Sequence, residues 1–500
     1  MLYTSTRDSS VRVDSATAIA TGISPDGGLY VPVELPVYDY ADLTRVMSAG
    51  YCERAVDILS EFLTDFSKSE LRECVSQAYE GKFRDDGEIA PLHALTDKEY
   101  ILELWHGPTC AFKDMALQLL PHLLRRATLK TGTNKEIVIL VATSGDTGKA
   151  ALEGFADVPG TRIIVFYPDE GVSNIQKLQM TTQEGSNVCV CAVKGNFDDA
   201  QTGVKNIFLN QAVKDELAAN GMQFSSANSI NLGRLVPQIV YYISAYLDLM
   251  CSGKMDYEGE QVNIVVPTGN FGNILAAFYA KQIGLPVKKL ICASNANNVL
   301  TDFINTGVYD RNRAFHTTIS PSMDILISSN LERLVYHLSG GDSVRVKNWM
   351  TQLAETGRYE VDDDVKEKLR ELFWAGSCDD NGTQATIKDI FDDYNYLCDT
   401  HTAVGLNVYS QYVAATEDSE TPVIVASTAN PFKFAPSVLD ALGDIEPGRS
   451  EFDLINELSV MSSAAIPEEL AGLRGKEVRF DKVIDRDKMI DVVRETLGLK

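Results

Sequence analysis

Lys113 stands in the run His106-Gly107-Pro108-Thr109-Cys110-Ala111-Phe112-Lys113-Asp114-Met115. An apolar run, Tyr100 to Trp105, precedes it and reads as a buried strand. A Gly-Pro turn follows, and then a helix-like stretch from Met115 to Leu124. This order puts a lysine near a helix start and at the mouth of a strand. There the helix dipole disfavours the ammonium form, and a ligand gains access. A lysine with a depressed pKa is a nucleophile that forms a Schiff base with an aldehyde. Most lysines near helix starts are solvated surface residues, so this reading depends on what accompanies Lys113.

Two loops accompany it. Thr143-Ser144-Gly145-Asp146-Thr147-Gly148-Lys149 follows the apolar run Glu136–Ala142 and precedes a helix-like stretch, Ala150–Phe155. Its hydroxyls, glycines and free backbone N–H groups ahead of a helix suit an anion. It is not a nucleotide P-loop, which needs Gly where Thr143 stands and Ser or Thr where Ala150 stands. Pro267-Thr268-Gly269-Asn270-Phe271-Gly272-Asn273 repeats the arrangement after Gln261–Val266 and opens a helix from Ile274 to Ile283. Glycines there let a phosphate monoester approach backbone donors closely. Either loop alone is also an ordinary glycine turn; together they describe a two-anion pocket. An aldehyde that carries a phosphate, such as pyridoxal phosphate, suits a lysine in that company.

Other segments add weaker signals. Ser229-Ile230-Asn231-Leu232-Gly233-Arg234 offers a guanidinium, which binds phosphate or carboxylate in a bidentate manner, or is a surface arginine on a helix Leu235–Leu247. Ser427-Thr428-Ala429-Asn430-Pro431 ends the last strand-like run with a hydroxyl and an amide, either at the ligand edge or as a helix cap. His106 and His401 are the histidines best placed for chemistry, although a lone histidine is usually structural. Asp362-Asp363-Asp364 reads as a solvated helix start rather than a metal site.

The elements that must position these residues alternate. Val- and Ile-rich runs occur at Glu136–Ala142, Arg162–Tyr167, Asn187–Val193, Gln261–Pro267, Lys288–Ala293 and Pro422–Ser427. Their continuous apolar character predicts strands covered on both faces, in the βα order of a mostly parallel, helix-flanked sheet. The chain has 500 residues, so two or three domains are expected. We expect an N-terminal domain over 1–95, with helical periodicity from Leu43 to Tyr79. A larger domain is expected over 96–129 and 236–500, and a smaller α/β domain over 130–235.

The net charge, 45 − 70 = −25, excludes a general affinity for nucleic acid or an anionic membrane surface. A phosphorylated ligand therefore needs a locally positive pocket. Nine cysteines without metal spacing fit reduced thiols, and Cys189 and Cys191 are expected to face opposite sides of a strand. No apolar run reaches the length of a membrane span, and the segment MLYTSTRDSS lacks a signal-peptide pattern, so a cytoplasmic protein is expected.

In order and number these segments resemble the threonine synthase family. Those enzymes use pyridoxal phosphate to convert O-phospho-L-homoserine and water to L-threonine and phosphate, the last step of threonine biosynthesis. Further matching pieces are Tyr3–Asp8, Pro25–Pro32, Ser320–Asp324, Asp399–Ala403 and Ser427–Phe434. The likeness is to the longer bacterial and fungal branch. It implies the tryptophan-synthase-β-like PLP-dependent α/β fold, with two helix-flanked sheet domains plus an N-terminal domain. It implies Lys113 as the Schiff-base lysine, Gly269, Asn270, Phe271, Gly272 and Asn273 around the cofactor phosphate, and Thr428 at the pyridine nitrogen. Thr143, Ser144, Asp146 and Thr147 are implied to receive the substrate carboxylate, and Ser229, Asn231 and Arg234 its phosphate. Related enzymes of this fold often carry Asn where Asp146 stands; the longer threonine synthases share the Asp. No metal is implied, and a monomer or homodimer is expected. The alternatives are a phospho-lyase giving 2-oxobutyrate from the same substrate and a catalytically silent metabolite-binding homologue.

Overall fold

The computed structural model describes residues 1–499 apart from 84–87, 134, 144, 171, 256–258, 444, 446 and 447. The apolar runs form strands within a residue or two of their expected bounds, and Glu136–Ala142 matches at both ends. A six-stranded sheet has the order Phe373–Ser377, Val287–Ser294, Val262–Pro267, Val423–Ser427, Glu99–Glu103, Leu92–Ala94. All neighbours in it are parallel except the last pair, an antiparallel edge. A five-stranded sheet has the order Val483–Ile484, Val188–Val193, Thr161–Pro168, Glu136–Ala142, Met222–Ser225 and is parallel throughout. Parallel strands need crossovers, and helices such as Asp146–Phe155 and Gly272–Ile283 supply them. Every candidate loop therefore leaves a strand at its carboxyl end.

One expected helix is broken, and another starts two residues later than expected. The stretch Met115–Leu124 is a short helix, Asp114–Leu117, followed by Leu120–Lys130. The stretch Leu235–Leu247 lies almost wholly in the single helix Pro237–Cys251, which follows a short helix, Leu232–Leu235. Pro121 and Pro237 stand at the starts of the second helices, where their missing N–H groups cost nothing but prevent continuation of the first. The strand expected over Tyr100–Trp105 ends at Glu103, although the Leu104 N–H still donates to the Ser427 carbonyl at 3.0 Å.

The N-terminal periodicity resolves into helices Tyr40–Val46, Tyr51–Phe62 and Lys68–Tyr79. These do not close a core of their own. Tyr3, Ile19, Leu59 and Phe62 share one apolar cluster with Ile239, Tyr242 and Leu275. Arg54 reaches across to Asp248 at 2.6 Å. At its other end the chain returns to the five-stranded sheet. Val483–Ile484 adds a strand beside Val188–Val193, and the helix Met489–Leu497 packs in the same apolar cluster as that sheet. Cys189 and Cys191 lie on the same face, not on opposite ones: alternation has a period of two, so positions two apart share a side, and both meet that cluster. All nine cysteines are free. The acidic triple starts the helix Asp363–Leu372, and Arg345 pairs with Asp362 and Asp364. Among the described residues no helix is long and apolar enough to cross a membrane.

Gly154 sets the contact between the two halves of the cleft. A Cβ on it would lie 2.0 Å from the Leu117 carbonyl oxygen, a backbone atom that cannot swing away. The helix Asp146–Phe155 therefore rests directly on the short helix that follows Lys113. Gly154→Ala is expected to cost about 1–3 kcal/mol by overpacking, despite its better helix propensity. Urea unfolding checks this; an unchanged midpoint would contradict the close contact.

Candidate active site

Lys113 caps the four-residue helix Asp114–Leu117, and its side chain is almost wholly buried. The loop that carries it is stitched to the end of Val423–Ser427. The Asn430 N–H donates to the Cys110 carbonyl at 3.0 Å, and the Phe112 N–H to the Thr428 carbonyl at 2.9 Å. Ala111 and Ala429 form a β-bridge. The Trp105 indole N–H donates to Ser427 Oγ at 2.9 Å. Below the loop, Asp114 accepts from the Thr109 N–H and hydroxyl, each at 2.7 Å. Burial pushes the Asp114 carboxyl up to about 6 against those bonds. Cys110 has φ 57°, a left-handed conformation for a residue with a side chain. Such strain persists only where its surroundings enforce it, and it concentrates at functional sites.

Asp146 is the first residue of the helix Asp146–Phe155. Its Oδ2 lies 3.7 Å from Lys113 Nζ, and its Oδ1 lies 2.7 Å from Lys433 Nζ. Gln176 Nε2 donates to Oδ1 at 2.9 Å. Ser322 Oγ stands 3.4 Å from both Lys113 Nζ and Asp146 Oδ2. Burial by itself would raise the Asp146 carboxyl; Lys433 and then Lys113 outweigh it and hold it well below the usual carboxylate range. Lys113 is pushed down to about 8, first by burial and then by Lys433 and Arg234, with Asp146 opposing. The depressed pKa expected from the sequence is present, but its main cause is desolvation, because a single helical turn has little dipole to contribute.

The loop after Val262–Pro267 forms a cup. The Gly272–Ile283 helix begins at Gly272, behind Phe271 in the left-handed region at φ 63°. A Cβ on Gly269 would lie 2.6 Å from the Ser322 carbonyl oxygen, so only glycine fits. Asn330 holds the loop from behind, donating to the Asn270 carbonyl through its N–H at 3.1 Å and its side chain at 3.0 Å. Asn270 itself is exposed. Asn273 is buried, and its Oδ1 accepts from Tyr241 at 2.6 Å and Tyr242 at 2.5 Å. Its Nδ2 is left as a buried donor without a partner. Unpaired donors beside a helix N-terminus and a glycine cradle fit a phosphate group.

The remaining candidates divide. Arg234 is buried near Lys113; burial pushes it down to about 10, and it donates to the Ala227 carbonyl at 2.9 Å. Ser229 is half-buried, and a Cβ on Gly272 would lie 3.6 Å from its Cβ. Asn231 is spent on structure: it accepts from the Gly233 N–H and donates to the Ile19 and Ser226 carbonyls. Thr143 is spent likewise, accepting from the Gly145 and Gly148 N–H groups at 3.0 Å. Thr147 is half-buried in the first turn of its helix; Ser144 lies outside the described residues. Thr428 is buried beside the Lys113 loop. Asn430 caps the turn Pro431–Phe434 by accepting from the Phe432 N–H. His106 lies 2.8 Å from Glu103 and stacks on Trp105. His401 accepts the Ser322 N–H at 3.1 Å, with Asp399 at its other ring nitrogen, so it positions the Ser322 loop.

Comparison with known proteins agrees with this architecture. Family models described as "Threonine synthase N terminus" and "Threonine synthase, C-terminal" match residues 2–79 and 402–495. Threonine synthase of Saccharomyces cerevisiae is 35% identical over 99% of this chain and 98% of its own length. The chain belongs to the threonine synthase family. A structure of PLP-bound threonine synthase from Brucella melitensis superposes with a TM-score of 0.87 at 35% identity, covering 99% of both chains. Human threonine synthase-like 1 is 41% identical over 85% of this chain, but the chain spans only 57% of that relative's length. Fold and family are those the sequence implied.

Several residues around Lys113 and the Gly269–Asn273 loop were not singled out from the sequence: Lys433, Gln176, Tyr241, Tyr242 and Asn330. Lys433 left one signal, a lysine between aromatic residues in Pro431-Phe432-Lys433-Phe434, where a solvated lysine is out of place. The depressed Lys113 carries a kinetic consequence. Only the neutral amine attacks an aldehyde. The rate at which cofactor-free protein captures pyridoxal phosphate should therefore rise with pH through a midpoint near 8. A midpoint near the ordinary lysine value would contradict the buried setting.

Proposed function

We propose that the protein is a threonine synthase: it holds pyridoxal phosphate on Lys113 and converts O-phospho-L-homoserine and water to L-threonine and phosphate. The observation that carries this reading is the cleft itself. A buried, depressed lysine lies 3.7 Å from Asp146, which opens one helix, and 3.4 Å from Ser322, whose carbonyl packs on Gly269 of the glycine cup. Yeast threonine synthase, matched over nearly its full length, and the PLP-bound Brucella melitensis structure support it.

The residues then divide the work. Gly269 to Asn273 would hold the cofactor phosphate, with Asn273 Nδ2 finding its missing acceptor there. Thr428 would face the pyridine nitrogen with a hydroxyl, which leaves that nitrogen largely unprotonated and disfavours transamination. The cofactor supplies an electron sink at the substrate's α-carbon. Lys113, once its nitrogen is released, moves protons at Cα and Cβ. Arg234 and Ser229 bind the substrate phosphate, and the helix start at Asp146 and Thr147 takes its carboxylate. Asn231 and Thr143 shape these loops rather than offering a free polar atom.

We also place the protein in the cytoplasm, as a monomer or homodimer. The nine free cysteines support a reducing compartment. The sheets support a larger unit that includes Leu92–Glu103 and 236–482, and a smaller one of 130–235 with 483–497, with the N-terminal helices packed on the larger unit.

Lys113→Ala should lower turnover by at least about 10³-fold. Substantial turnover by that variant would overturn the assignment. Incubation of the cofactor-loaded protein with O-phospho-L-homoserine should give threonine and phosphate in equal amounts. Release of 2-oxobutyrate instead would make the protein a lyase, and no phosphate release would mean a different substrate or a silent homologue.

A further inference from the structure

Lys433 is the least expected charge in the molecule. Its side chain is fully buried, in a turn flanked by Phe432 and Phe434. Among the described residues it bonds inward, to Asp146 Oδ1 at 2.7 Å and to the Thr109 carbonyl at 2.8 Å. The two oxygens of Asp146 are thereby divided. Oδ1 is taken by Lys433 and Gln176, and Oδ2 is left facing Lys113 and Ser322. A carboxylate this deep needs a compensating cation, and Lys433 supplies one that is independent of Lys113. Lys113 can then lose its own charge without leaving Asp146 unpaired.

We infer that Lys433 is a positioning residue: it holds Asp146 ionised and turned toward Lys113, so that the charge state of the Lys113 nitrogen is set against a fixed ion pair. This rests on the reading of Lys113 as the lysine that holds pyridoxal phosphate. The other charged or titratable groups near Lys113 are Arg234 from the helix Leu232–Leu235, Asp114 beside it in the chain, and His401 behind Ser322. Glu153 acts on Asp114 from the far side. None of them contacts Asp146 in place of Lys433.

The test reads the pH midpoint for capture of pyridoxal phosphate by the full chain stripped of cofactor, in wild type, K433M, D146N and the double variant. K433M leaves the Asp146 charge unopposed, so its midpoint should rise by about one pH unit or more. D146N leaves Lys433 unopposed, so its midpoint should fall by a similar amount or more. The double variant should lie between the two. A purely structural Lys433 would change unfolding temperature but not midpoint; an unmoved or lowered midpoint in K433M overturns the inference. If K433M does not fold, D146N and the double variant decide: recovery toward the wild-type midpoint supports the pair, and a double variant indistinguishable from D146N overturns it. Wild-type protein that captures no cofactor at Lys113 would instead overturn the reading of the site.

Discussion

A carboxylate buried between two ammonium groups organises this molecule around its cleft. Asp146 opens a helix of the five-stranded unit, Lys433 leaves the strand Val423–Ser427, and Lys113 leaves the strand Glu99–Glu103. Their contacts at 2.7 and 3.7 Å bring the two sheets' carboxyl edges to one point. Truncating one partner of such a pair leaves a buried charge uncompensated, at a cost of roughly 3–5 kcal/mol. The relative placement of the sheets is thus tied to the electrostatics of the site. Burial lowers Lys113, but two neighbouring cations and one anion decide how far.

The glycine-rich cup Gly269–Asn273 depends on a second buried charge, Arg333, whose side chain is fully enclosed. Its guanidinium bonds Asn330 Oδ1 at 2.5 Å, the Tyr30 carbonyl at 2.9 Å and the Ile230 carbonyl at 2.6 Å. Asn330 in turn holds the Asn270 carbonyl. Its neighbour Glu332 is clasped by Arg7 at 2.7 and 2.8 Å and by the Thr6 hydroxyl. The N-terminal segments Tyr3–Asp8 and Pro25–Pro32, remote from the loop in sequence, therefore brace the backbone of Gly269–Asn273. That bracing keeps Phe271 in a left-handed conformation that a free loop would abandon. The N-terminal region thus packs directly behind the Gly269–Asn273 loop.

Much of this was legible beforehand. The apolar runs became strands because continuous Val and Ile sequences suit only a sheet covered on both faces. The glycine-rich turns fell at strand ends for the same topological reason. Lys113 was identified because a lysine after a Gly-Pro turn stood out against its apolar surroundings. The helix breaks at Pro121 and Pro237 were readable in principle, since proline lacks the N–H that continuation needs, but apolar periodicity ran through both sites. Asn231 and Thr143 show what residue type alone does not reveal: these polar side chains in candidate loops are hydrogen-bonded to the backbone.

The sequence by itself determined the family and the fold class, and it singled out Lys113 and two glycine-rich loops as candidates, because these are local patterns of residue type and spacing. Tertiary structure alone decided which charges meet. Asp146 and Lys433 are hundreds of positions apart, as are Thr6 and Glu332, and no local pattern pairs them. It also decided why Lys113 is depressed, which is burial rather than a helix dipole, and that the last strand crosses to the smaller sheet. Local propensity acts over a few residues, whereas desolvation and Coulomb interaction depend on distances that exist only once the chain has folded.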